Sequence, residues 1–175
     1  YGQLGDGTTD GRYTPADVTG LTSGVEAVTG GVYHTCALTT GGGVKCWGYN
    51  VYGQVGDGTT DDRLTPTDVL SLTSGVGAVA AGGYHNCALT AGGLRCWGSN
   101  DYGQLGDGTT TTRPAPVDVS GLTSGVQTVA AGERHTCAVT TGGGVRCWGA
   151  NERGQLGDGT TTTRLTPVDV TSLAS

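Results

Sequence analysis

Tyr1-Gly2-Gln3-Leu4-Gly5-Asp6-Gly7-Thr8-Thr9 comes back from Tyr52, from Tyr102 and, with arginine in place of tyrosine, from Arg153. The spacings are 51, 50 and 51 residues. Between these copies the order is fixed: Pro-x-Asp-Val, then Leu-Thr-Ser-Gly-Val, then a glycine-rich run into His-x-Cys, then Cys-Trp-Gly-x-Asn. A period of this length, with several short strands per unit, is a propeller signature. The chain holds three full units and 23 residues of a fourth.

Four strands are predicted in each unit. In the first they fall near residues 25–29, 34–39, 44–47 and 65–69. The runs are short, β-branched and bounded by glycine, and they lack a 3.6-residue period. Pro66 places the fourth strand at an edge, because proline cannot donate to a ladder. The expected fold is therefore all-β: a β-propeller of four-stranded antiparallel blades. Residues 23–73, 74–123 and 124–175 form three blades, and residues 1–22 are a spare outer strand. A closed propeller usually needs four to eight blades. The chain is thus expected to be part of a larger propeller, or to complete a ring by head-to-tail association with a second copy.

Composition agrees with a folded chain. Glycine is one residue in five, 35 of 175, and Val and Leu together supply only 31. Such a low content of large hydrophobes accompanies disorder only when net charge is high, and here it is −6. Glycine shows no three-residue period, which excludes collagen. No apolar stretch is long enough for a membrane helix. A pI near 4.7 argues against nucleic acid as partner. The sequence contains no Met, so Tyr1 is not expected to be a translation start.

The cysteines fall as Cys36/Cys46, Cys87/Cys96 and Cys137/Cys147. Antiparallel pairing of Cys87 with Cys96 leaves Ala91-Gly92 as a two-residue turn. The other two units have a three-residue turn with glycine available for positive φ. In every unit the Cys pair stands three pairs out from the turn; in the two-residue case this is a non-hydrogen-bonded site, with Cα atoms about 4.5 Å apart, near enough for a disulfide. Three intrablade disulfides are expected, and with them an extracellular or cell-surface location. Reduced thiols packed between blades are the alternative. Zinc fits poorly, because close Cys pairs are missing.

Ala80-Ala81-Gly82-Gly83-Tyr84-His85-Asn86-Cys87-Ala88-Leu89-Thr90, Cys96-Trp97-Gly98-Ser99-Asn100 and Gly103-Gln104-Leu105-Gly106-Asp107-Gly108 resemble the regulator of chromosome condensation repeat. The match recurs in every unit. The resemblance implies a β-propeller, usually seven-bladed, and no single function. Members include an exchange factor for a small GTPase, a plant ultraviolet receptor and a secreted inhibitor of β-lactamase. The receptor's Trp-Arg-His motif is replaced here by Val32-Tyr33, Gly83-Tyr84 and Glu133-Arg134 before the histidines. The cysteine-bearing copies resemble bacterial extracellular members.

The copies also compare themselves. The junctions between blades and the turns between second and third strands barely change. The loop between first and second strands changes, as does the start of the loop between third and fourth. Both lie at one end of the blades. Candidate binding residues are therefore Tyr33, Tyr49, Tyr52, Tyr84, Tyr102, Glu133, Arg134, Glu152 and Arg153, several of them favoured interface types. His34, His85 and His135 recur at equivalent places, as do Trp47, Trp97 and Trp148. Repetition argues for structure: backbone hydrogen bonding for the histidines, interblade packing for the tryptophans. The Asp-Gly pairs lack the alternating ligands of a calcium loop and suit turns. No catalytic residue, metal site or cofactor is expected. The sequence reading is a non-enzymatic extracellular binding or structural module with a protein or surface partner. The alternatives are a regulator of a small GTPase and an inhibitor of a secreted enzyme such as a β-lactamase.

Overall fold

A computed structural model describes residues 1–171. They contain twelve strands and no helix. The first blade is β1 (Val25–Gly30), β2 (His34–Thr39), β3 (Val44–Gly48) and β4 (Arg63–Asp68). The second is β5 (Val76–Ala81), β6 (His85–Thr90), β7 (Gly93–Gly98) and β8 (Arg113–Asp118). The third is β9 (Val126–Ala131), β10 (His135–Thr140), β11 (Val145–Gly149) and β12 (Arg164–Asp169). Each blade is an antiparallel sheet whose strands stand in chain order. The three sheets do not close on one another.

The hairpins follow the turn chemistry. Cys87 pairs with Cys96 and Thr90 with Gly93, which leaves Ala91 and Gly92 in the turn. In the first blade Thr39 and Gly43 close a three-residue turn in which Gly42 has φ of 73°. Cys36–Cys46, Cys87–Cys96 and Cys137–Cys147 are disulfides, each with Cα atoms 4.1 Å apart. The prolines of β4, β8 and β12 lie on outer strands, which have one ladder partner each.

Thin sheets have no interior of their own, so the core lies between blades. One cluster joins Cys36, Cys46, Val55, Val69 and Leu72 of the first blade to Ala88 and Trp97 of the second. The next joins Cys87, Cys96, Leu105 and Val119 to Ala138 and Trp148 of the third. A cystine and a handful of Val and Leu on one blade thus face a tryptophan on the next. This explains how the fold manages without Phe, Ile and Met.

Residues 1–22 depart from expectation. They contain no strand. Among the described residues this segment has no ladder partner. It packs as a loop instead. Trp47 Nε1 and Thr35 Oγ1 both donate to the Gln3 carbonyl at 2.9 Å, and Gly7 N donates to Leu64 O. The segment covers the first blade as the corresponding loop of a preceding blade would.

Candidate partner-binding face

Two loops per blade build this face. One joins the first and second strands, the other the third and fourth. Tyr49 N donates to Tyr33 O, Ser99 N to Tyr84 O and Ala150 N to Arg134 O, each at 2.9 Å. These bonds clamp the two loops of a blade together. The longer loop is held from within by a buried asparagine. Asn50 Oδ1 accepts from Val55 N at 2.8 Å, and Nδ2 donates to the carbonyls of Thr59 and Asp61. Asn100 and Asn151 repeat the arrangement.

The Asp-Gly pairs are fasteners. Asp57 accepts from Thr59 N and Oγ1, and its other oxygen pairs with Arg63. Burial alone would raise the Asp57 carboxyl, but the Thr59 bonds and the Arg63 guanidinium outweigh it and hold it below the usual range. Asp158 is held at about 2, chiefly by the Thr160 hydroxyl. With arginine in the place a cation would take, these loops have turn chemistry. Among the described residues no cluster of three metal-ligating side chains occurs.

Below the face runs the interblade joint. Gln54 O accepts from Trp97 Nε1 and Asn86 Nδ2; Gln104 O accepts from Trp148 Nε1 and Thr136 Oγ1. Each tryptophan ring lies against a glycine of the preceding loop. A Cβ on Gly5, Gly56 or Gly106 would come within 2.6–2.7 Å of the indole nitrogen. The histidines belong to the same joint. His34 Nε2 donates to Asn86 Oδ1, and His85 Nε2 donates to Thr136 Oγ1, both at 2.9 Å. Their partners are side chains of the next blade rather than backbone. The Nδ1 atoms of His34 and His85 are buried without a partner. Both rings are therefore neutral, with the proton on Nε2. Burial, then the neighbouring His34 and His135, push His85 down to about 3.

Above the joint the tyrosines converge. Tyr49 sits at the centre, 4.7 Å from Tyr1, 6.2 Å from Tyr33 and Tyr84, and 6.3 Å from Tyr52 between ring centroids. Its contacts are mostly edge to face, the favoured arrangement for aromatic pairs. Desolvation, then Tyr52, Tyr1 and Asp62, raise the Tyr49 phenol. Asp62 is drawn in because it accepts from Asn50 N at 2.8 Å. Three further pairs cross from one repeat to the next, Tyr1–Tyr33 at 5.3 Å, Tyr52–Tyr84 at 5.4 Å and Tyr33–Tyr84 at 6.3 Å. At the next junction the same offset of 32 residues brings Arg134 onto Tyr102. Its guanidinium carbon lies 5.1 Å from the ring centroid, and Nη1 donates to Tyr102 Oη at 2.9 Å.

The predicted residues thus separate into three groups. Tyr33, Tyr49, Tyr52 and Tyr84 form one patch with Tyr1. Tyr102, Glu133 and Arg134 line a cleft of about 160 Å3 together with Tyr52, Tyr84, Ser99, Asp101 and Gln104. Glu152 and Arg153 lie apart, in a wider hollow on the open side of the third blade with Glu133, Arg134 and His135. Tyr1, Asp62 and Asp101 join these candidates. The signal for Tyr1 is the 32-residue offset; Asp101 stands at a divergent loop position, and Asp62 differs from Thr112 and Thr163 of the later copies.

The regulator of chromosome condensation (RCC1) repeat profile matches residues 1–38, 42–89, 92–139 and 142–175. The chain belongs to this family. The ultraviolet-B receptor UVR8 of Arabidopsis thaliana is 36% identical over 92 residues, 51% of this chain and 21% of the receptor. The human E3 ubiquitin-protein ligase HERC2 is 36% identical over 163 residues, 92% of this chain but 2% of the ligase. Among solved structures, Prp20p of Saccharomyces cerevisiae superposes with a TM-score of 0.83 at 24% identity, covering 99% of this chain and 45% of Prp20p. Human WBSCR16 superposes with a TM-score of 0.73 at 29% identity, covering 83% of this chain and 37% of the relative. The chain therefore spans a small part of each curated relative, and the structural likeness to Prp20p is one of fold.

Proposed function

We propose that this chain is a non-enzymatic binding module of the RCC1-repeat propeller type, and that it meets a protein partner through the face built by these two loops. The observation that carries the reading is the tyrosine patch. Five tyrosines from two blades and the preceding segment converge where the copies differ, while the opposite end of the blades repeats itself. Tyr33 and Tyr1 remain 40% and 54% exposed, and partly exposed tyrosine is a favoured interface anchor. Prp20p, a protein of the same fold, has been crystallised bound to Kap60, which supports a protein as partner class. Three disulfides fit an extracellular setting. That setting favours a surface or secreted partner, including a secreted enzyme, over an intracellular GTPase. The bacterial extracellular type of repeat is part of the same reading.

A second surface supports association with another blade. His135, Glu152, Arg153 and Gln155 border an open hollow where the earlier blades are covered by the next. We propose this hollow as the place where a further repeat, from the same protein or from a second copy, would pack. The test of the main reading is partner capture from the native secretome. The Tyr33→Ala/Tyr84→Ala double variant is expected to lose the partner that the unaltered chain retains. Equal recovery would remove the face from the function.

A further inference from the structure

We infer that the cleft between the second and third blades is a receptor for an arginine side chain of the partner. The inference rests on the proposed binding face and assigns its chemistry. The cleft is walled by Tyr52, Tyr84 and Tyr102 and carries the carboxylates of Asp101 and Glu133. Aromatic faces and a nearby carboxylate are what a guanidinium requires: the ring quadrupole attracts the cation, and the acid supplies a charged acceptor.

The protein itself shows the fit. Arg134 lays its guanidinium over Tyr102 at 5.1 Å, donates to the phenol oxygen at 2.9 Å, and lies 3.4 Å from Glu133. The Arg134 side chain is about half exposed, so it forms a wall of the cleft and does not fill it. At the two preceding junctions Tyr33 and Tyr84 stand in its place. The site thus uses the same backbone geometry with changed side chains: Arg134 for tyrosine, Glu133 for Val32 or Gly83, and Asp101 for Val51.

Charge complementarity selects the occupant. Asp101 and Glu133 face the single cation Arg134 in the cleft. Next to it, Asp62 lies behind the tyrosine patch with no ion pair among the described residues. An acidic partner segment would meet net negative charge and tyrosine π-faces. A neutral one would leave the carboxylates unused. An incoming arginine can share the Tyr84 and Tyr52 side of the cleft with Arg134, or replace it on Tyr102.

The probe is the peptide acetyl-Gly-Arg-Gly-amide, titrated calorimetrically into the oxidised chain. The control replaces arginine by citrulline, which keeps the shape but removes the charge and exchanges one NH2 donor for a carbonyl acceptor. Binding of the arginine peptide at least about tenfold tighter than the citrulline peptide is expected. Asp101→Asn is expected to weaken it about threefold. Arg134→Ala, which clears Tyr102 and Glu133, is expected to strengthen it about threefold. Thermal melting of each variant checks that the blades are intact. Equal binding of the two peptides, no binding of either, or loss of binding in Arg134→Ala overturns the inference. If the peptide fails while the Tyr33→Ala/Tyr84→Ala variant still loses its partner, the cleft assignment falls and the face stands. If that variant keeps its partner, the face falls as well.

Discussion

Every blade junction has two storeys, and they differ in what they tolerate. In the lower storey the three junctions are nearly identical: tryptophan on glycine, with a glutamine carbonyl accepting two bonds. In the upper storey the same 32-residue offset joins Tyr1 to Tyr33, Tyr52 to Tyr84 and Tyr102 to Arg134. The tryptophans of the lower storey are buried, and a Cβ on the glycine beneath each would collide with the indole. The upper storey is partly exposed, so a ring can be exchanged for a guanidinium without moving the backbone. On the proposed function, stability and recognition are stacked in one joint and served by separate residues.

The largest effect expected from breaking the lower storey is Trp97→Ala. It removes a fully buried ring shared by two blades and orphans one bond to Gln54 O. A loss of about 3–5 kcal/mol is expected in urea unfolding. Tyr84→Ala, one storey up, should cost far less. Comparable losses would mean that the tyrosines are core.

Acid should act next, and on the lower storey. His34 and His85 are buried neutral, with folded values below the ordinary 6.5. A depressed folded value means that the unfolded chain binds the extra proton. The contribution is complete above about pH 6.5 and is lost as pH falls towards about 3 for His85. The slope is at most about 1.4 kcal/mol per pH unit for each histidine. Unfolding free energies measured from pH 7 to 4.5 are expected to fall, and His85→Gln is expected to flatten that fall. A slope unchanged by the substitution would detach the histidines from the joint.

Removing one disulfide, as in the Cys87→Ala/Cys96→Ala pair, should cost about 2–3 kcal/mol, because the loop it closes is short. Unfolding with and without reductant measures it. The patch above is expected to keep its near-native tyrosine signal in circular dichroism until the blade itself unfolds.

Much of this was legible in the sequence, for physical reasons. The strands, their order and the cystine register follow from local patterning: turn length, glycine placement and alternation within one hairpin. The divergent end of the blades was legible because the repeats act as controls for one another. What local pattern does not carry is contact between repeats. The histidine partners Asn86 and Thr136 lie 52 and 51 residues away on the next blade, and the acceptor at the heart of each joint is a backbone carbonyl, which no side chain advertises. Residues 1–22 show the same limit from the other side. Their sequence resembles that of an outer strand, yet they hold no ladder partner and pack as a loop against Trp47.

Recognition is proposed to lie at one end of the blades. Photo-crosslinking compares the two ends directly. A benzophenone side chain is placed at Val51, 53% exposed beside the tyrosine patch, or at Ala91, in the hairpin turn at the opposite end. Both positions are exposed and should leave melting unchanged. A partner cross-linked from Val51 and absent from Ala91 is the expected result. Cross-linking from Ala91 alone, or equally from both, would contradict the account.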